Sequence, residues 1–204
     1  VHNITIFKNS NTQRIIEQPI NKEDISVKAL KTIFHSPDYF KGIPLSSTLL
    51  LTFNYTDTVD EYANTPNIMV NHIHGIIHKP ESIIFGYGDE MDKHYQELED
   101  FNDNNYLAHI KSSKYLDASN YRKLLQFVES APFQIYIMGH SCGNSDRTLL
   151  HTLFEHENCV SIKPFYYQKE DGTDNYTEIA QNISRNFKNK QKLRDRVVNK
   201  EFCE

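Results

Sequence analysis

Short apolar runs alternate along the chain with stretches whose apolar residues recur at helical spacing. Residues 48–53, 82–85, Phe133–Met138 and Cys159–Phe165 have the length and near-continuous apolarity of strands buried on both faces of a parallel sheet, and a mixed run at 68–77 extends the series. Between them, Leu124, Leu125 and Val128 share one face of a predicted helix over 121–130. Leu149, Leu150, Leu153 and Phe154 share one face of another over 148–154, behind the start signal Ser145-Asp146. Alternating strands and helices predict an α/β fold with a parallel sheet, whose ligands sit outside the carboxyl ends of the strands. Residues 1–47 read as a polar lead-in with one helix over 25–34, where Ile25, Ala29, Leu30 and Ile33 fall at helical spacing. The core spans 48–166, interrupted by an acidic, asparagine-rich stretch without clean periodicity that reads equally as a lid near 89–115 or as a helix. Residues 167–204 carry a C-terminal helix marked by Ile179, Ile183 and Phe187, then a basic tail through Lys188, Lys190, Lys192, Arg194 and Arg196.

Composition narrows the class. The chain has 204 residues, 38% hydrophobic, with 12 Tyr and 12 Phe, enough to bury a core despite a mean hydropathy of −0.61. No apolar run approaches the ~18 residues of a membrane span. A net charge of −5 argues against a surface that clamps nucleic acid, so the basic tail reads first as a solvated face. Three separated cysteines, Cys142, Cys159 and Cys203, form neither a disulfide framework nor a paired metal motif, and point to a reducing compartment. Phe40, Phe187 and Phe202 mark either an oligomer contact or ordinary core. The chain opens at Val1 with no basic or apolar leader, and it is expected to be part of a longer protein.

Three motifs stand at predicted strand ends. The first, Gly139-His140-Ser141-Cys142-Gly143-Asn144-Ser145-Asp146, follows the strand over Phe133–Met138. It matches the G-x-S-x-G elbow of serine hydrolases, but those enzymes supply an acid and then a histidine on later strand ends. Here only His151 and His156 follow Ser141, both expected inside the very next helix. Its other reading is a nucleotide-binding turn, with Ser141, Ser145 and the helix-start amides on phosphate or ribose and Asp146 accepting from ribose hydroxyls. Asp146 would serve equally as a helix cap. The second motif is Asn71-His72-Ile73-His74-Gly75-Ile76-Ile77-His78. On a strand His72, His74 and His78 share a face, yet no cysteine or carboxylate completes a metal set, and no metal is expected. His74, beside a glycine, suits a general base. The third, Phe53-Asn54-Tyr55-Thr56-Asp57, offers an asparagine able to orient a water or a ribose hydroxyl.

Taken in order with Ile83-Ile84-Phe85-Gly86-Tyr87-Gly88, these motifs resemble the bacteriophage abortive-infection AbiH family over residues 48–165. The family is similar in turn to sirtuin-like NAD-binding domains, in which a strand-end asparagine precedes a His-Gly by about twenty residues; Asn54 and His74 stand twenty apart. The resemblance implies a three-layer, Rossmann-type fold incomplete at its N-terminus, because the family's opening glycine-rich loop has no counterpart before Thr48, where Gly42 is the sole glycine. It implies an antiphage protein of the bacterial cytoplasm that binds NAD(+) and hydrolyses it, with Asn54 and His74 catalytic. The cofactor-binding residues it implies are Thr56, Asp57, Gly75, Gly86, Gly139, His140, Ser141, Gly143, Ser145 and Asp146. A nucleotide is the expected ligand, and a second copy or a further defence-system domain the expected partner. The alternative is a non-catalytic nucleotide-binding module, with a serine hydrolase behind it.

Overall fold

The computed structural model describes residues 2–7, 20–34, 45–63, 66–87 and 90–203; Phe40, Gly42 and Gly88 lie outside them. Strands β1 (His2–Phe7), β2 (Ser47–Thr52), β3 (Ile68–His72), β4 (Phe133–Met138) and β5 (Cys159–Phe165) form one sheet in the order β3-β2-β1-β4-β5. Every neighbouring pair is parallel, so the α/β expectation holds. That strand order is the one doubly wound sheets use, with its reversal of direction between β1 and β4.

Eight helices of the described residues flank or edge the sheet: α1 (Val27–Phe34), α2 (Tyr95–Asp100), α3 (Asn104–Leu107), α4 (Lys111–Lys114), α5 (Asn120–Ser130), α6 (Arg147–Glu155), α7 (Tyr176–Arg185) and α8 (Lys190–Arg196). Ile4, Ile6, Leu49, Leu51, Ile135 and Ile137 turn one face of the sheet onto Leu124 and Val128 of α5, Leu150 and Phe154 of α6 and Ile183 of α7. Each such side chain, taken fully out of water, contributes about 1.5–3 kcal/mol. Phe187 belongs to this core and stacks on Phe154 at 5.7 Å. Leu50 packs on Val59 across the opposite face, where Thr5 and Gln134 are also fully buried. No helix among the described residues is long and apolar enough to cross a membrane.

Three local expectations are corrected. Residues 2–7, placed by pattern in the polar lead-in, form the central strand. Ile4 and Ile6 face the main core, and the intervening Thr5 interrupts the apolar run that marks a buried strand. The 82–85 run is no strand: a 3-10 turn over Pro80–Ser82 leads into a segment tied to neighbouring loops, with the Ile84 N–H donating to the His74 carbonyl at 2.9 Å. The 68–77 run stops as a strand at His72, where the chain turns through Gly75. The remaining predicted strands and helices stand within a few residues of their expected bounds, and the 89–115 stretch contains the short helices α2, α3 and α4.

Candidate functional site

Ladder register brings the three motifs together. Phe7 pairs with Thr52 and with Met138, Thr52 with His72, and Met138 with Phe165, so the five strands end level. The residues that follow each strand therefore converge on one rim, as parallel α/β sheets arrange their ligand sites.

At the centre of that rim lies Asp146, 7% exposed, in a 3-10 turn over Asn144–Asp146 that runs into α6. Its Oδ1 accepts from Lys111 Nζ at 2.8 Å and lies 3.3 Å from His74 Nε2. Its Oδ2 accepts from Ser145 Oγ at 3.0 Å and faces His140 Nε2 at 3.7 Å, an ion-pair separation longer than a hydrogen bond. Burial alone would raise the Asp146 pKa, but His140, His74 and the Lys111 ammonium turned onto the carboxylate hold it well below its usual range.

The two imidazoles are fixed differently. The Cys142 N–H donates to His140 Nδ1 at 3.0 Å, which makes Nδ1 an acceptor and assigns the neutral ring's proton to Nε2, the atom facing Asp146. The His140 ring lies 4.2 Å from that of Phe53. His74 is 3% exposed, its Nε2 3.3 Å from both Asp146 Oδ1 and the Tyr115 hydroxyl. Phe53 meets the His74 ring edge-on at 5.2 Å, and Tyr115 in turn stacks on Tyr121 at 5.1 Å. Burial, reinforced by the Asp146 charge, pushes the Tyr115 hydroxyl far up, so it remains a donor.

The glycines have separate tasks. Gly75 has φ +80°, and a Cβ there would lie 2.1 Å from the Ser82 carbonyl oxygen, so only glycine lets the chain turn sharply after His74. At Gly86, φ is +147° and a Cβ would lie 2.0 Å from the His109 carbonyl oxygen. That close approach lets Tyr87 N–H donate to His109 and Lys111 N–H donate to Tyr87, at 3.1 and 2.8 Å, which aims Lys111 into the rim. Gly143 carries no such constraint, its hypothetical Cβ meeting only Ser141 Oγ at 3.7 Å. Gly139, His140 and Ser141 line a cavity of about 330 Å³ that Phe165 and Tyr166 of the β5 end and Ile179 of α7 close from the other side. Two further hollows, of about 190 Å³ beside α1 and α8 and about 400 Å³ beside β3 and α5, lie away from the rim.

Of the sequence-predicted residues, then, the structure gathers His74, His140, Ser145 and Asp146 into one cluster. Gly139 and Ser141 lie on the adjoining cavity. Asn54 follows β2, half-buried, its N–H on Thr52 Oγ1 at 3.2 Å. Thr56 and Asp57 are exposed, and Asp57 faces His78 at 3.4 Å. His72 faces Asp60 at 2.9 Å, so the three histidines meet three different carboxylates rather than sharing a face. Among the described residues no group of three or more His, Cys, Asp and Glu is arranged to hold a metal ion. Lys111, Tyr115 and Phe53 were missed. Lys111 sits in a polar run with no periodicity, and only the fold shows that it is buried.

The elbow of a serine hydrolase does not form. The strained residue of the turn is Cys142, at φ +54°, while Ser141 is exposed. His151 Nδ1 meets the Asn186 carbonyl at 3.1 Å and His156 Nδ1 accepts from Asn158 N–H at 3.2 Å, so neither histidine after Ser141 is aimed at a nucleophile.

A parallel doubly wound sheet with a buried His–Asp–Lys cluster beside its switch point defines the class: an α/β protein built to hold a polar ligand at its strand ends. The chain belongs to the bacteriophage abortive infection AbiH family, whose model matches residues 3–168, β1 through the end of β5. No curated protein and no solved structure matches it.

Proposed function

We propose that this abortive-infection protein acts on NAD(+), cleaving it to nicotinamide and ADP-ribose. The observation that carries this reading is the buried His74–Asp146 pair at the level ends of β3 and β4, next to the reversal point where doubly wound sheets take nucleotides. A histidine held by a carboxylate has its ring oriented for proton transfer. His74 would accept the proton of a ribose hydroxyl, and Asn54, at the end of β2, would direct a water to the anomeric carbon. The water oxygen bonds to that carbon as the carbon's bond to the nicotinamide nitrogen breaks, the electron pair leaves with nicotinamide, His74 returns its proton to the ribose oxygen, and the water's surplus proton passes to solvent. The turn over 139–146 and the cavity beside it would hold the remainder of the nucleotide.

Chromatography of NAD(+) incubated with the protein at neutral pH tests this. Turnover that falls by roughly a hundredfold or more in His74→Ala supports it. Parental turnover in His74→Ala would show that the base is assigned wrongly, and an unchanged cofactor with the parent protein would remove the activity.

One observation favours a second reading, a module that binds a nucleotide without consuming it. His74 is only 3% exposed and already engaged by Asp146 and Tyr115, as in a satisfied structural cluster. Saturable binding of a nucleotide by calorimetry, unchanged in His74→Ala and without nicotinamide release, would establish it.

A further inference from the structure

Lys111 is the charged group of the rim that no nucleotide motif accounts for. Its ammonium shares Asp146 Oδ1 with His74 Nε2, at 2.8 and 3.3 Å, and the three side chains are 9%, 10% and 4% exposed. One carboxylate thus serves one ammonium and two imidazoles in a pocket nearly closed to solvent, with His140 on its other oxygen. The approach is built by the backbone. Gly86 admits the His109 carbonyl at a distance no side chain would tolerate, and the Lys111 N–H is fixed on the Tyr87 carbonyl at 2.8 Å.

Charge balance gives Lys111 a role. A buried carboxylate flanked by imidazoles and lacking another cation draws a proton onto one of the rings, because an uncompensated charge in a dry site is costly. An imidazolium cannot accept a proton and so cannot serve as a base. With the Lys111 ammonium 2.8 Å from Asp146, the carboxylate has its counter-ion and charge balance no longer calls for a proton on either ring. Among the described residues Tyr55, Tyr115 and Cys142 face the cluster, and burial pushes the ionisation of each upward, so around neutral pH they stay uncharged; Tyr121 and the Glu90 carboxylate also act on Tyr115.

We propose that Lys111 is a positioning residue, the counter-ion that keeps Asp146 ionised and turned toward His74 while leaving that imidazole unprotonated and able to act as a base. The functional half of this statement rests on His74 being the base; the electrostatic half does not.

Histidine-selective NMR titration of the full chain reads the electrostatic half, with the His74 and His140 signals assigned through His74→Gln and His140→Gln. In Lys111→Met one of the two rings is expected to hold its proton to a pH about one unit or more higher than in the parent, whereas Lys111→Arg stays near the parent. Where the methionine variant fails to fold, Lys111→Gln, which retains a donor without the charge, carries the same expectation. An unmoved titration, or an equal shift in Lys111→Arg, overturns the proposal. On the functional side, the acid limb of the NAD(+) turnover profile is expected to move upward by the same interval in Lys111→Met and to be restored by Lys111→Arg. Because the titration needs no turnover, a parent that leaves NAD(+) intact removes the activity without touching the role of Lys111, and an unmoved titration removes that role without touching the activity.

Discussion

The side-chain amide of Asn186 donates to the Cys142 carbonyl at 2.9 Å, in a position with no solvent access. One helical turn earlier, Asn182 donates to the Ser141 carbonyl at 2.8 Å. Cys142 is the left-handed residue of the turn, at φ +54°, and its N–H is the donor that fixes the His140 tautomer. Residues just beyond the 3–168 family match therefore hold the rim in shape. The fold joins the two parts by packing Ile179 and Ile183 of α7 into the main core.

Replacing Asn186 by Leu strips the donor from a buried carbonyl and also removes the bond from its Nδ2 to the Asn182 carbonyl. A buried acceptor left without a partner costs about 1–3 kcal/mol. Denaturant unfolding of Asn186→Leu is expected to show a loss of that size with an unchanged slope, and Asn182→Ala a smaller one. A variant as stable as the parent would mean that the turn holds its own conformation.

Gly75 and Gly172 share φ +80° but differ in what surrounds them. At Gly75 a Cβ would press into the Ser82 backbone at 2.1 Å, while around Gly172 nothing lies within 4 Å. Gly172→Ala carries only the left-handed strain, about 1 kcal/mol. Gly75→Ala adds a backbone clash directly after His74, and the expected loss exceeds roughly 3 kcal/mol. Equal thermal shifts for the two variants would show that the turn after His74 relaxes freely.

These contrasts show where sequence patterning reaches. β4 was legible because all six of its residues are buried between β1 and β5, and a strand covered on both faces reads as an unbroken apolar run. β1 was not, because Thr5 interrupts its apolar residues. His74 and Asp146 were each singled out as strand-end residues. Their contact, however, comes from the register that levels His72 with Met138 through Thr52 and Phe7. Lys111 reaches the same carboxylate across 35 positions by way of Gly86 and Tyr87, and local periodicity carries no trace of such an approach.

The thiols report on the same burial. Cys142 and Cys159 are pushed up to about 12, and Cys203 to about 11, chiefly by burial. Since the thiolate is the reacting form, iodoacetamide at pH 8 is expected to leave all three unmodified in the native protein and to modify all three in guanidinium. Fast labelling of Cys142 in the native state would show that the turn over 139–143 opens readily.

Asp146 links the cluster to stability. Its folded-state pKa lies below its ordinary value of 3.8, so its contribution is present above that value and is lost as the pH falls toward the lower, folded-state one. Asp24, whose carboxyl burial pushes upward even beside Lys163, acts in the opposite sense and loses its contribution as the pH rises. Asp146→Asn preserves the side-chain shape but strands the Lys111 ammonium, 9% exposed, without its anion. Breaking a buried pair from one side costs roughly 3–5 kcal/mol, whereas removing both charges costs much less. Urea unfolding at neutral pH is therefore expected to rank the parent most stable, the double variant Lys111→Met/Asp146→Asn next and Asp146→Asn last. The loss of stability between pH 4 and pH 2 should be shallower in both variants than in the parent. A double variant no more stable than Asp146→Asn would mean that Lys111 finds another partner, and that the neutrality of the rim does not depend on this pair.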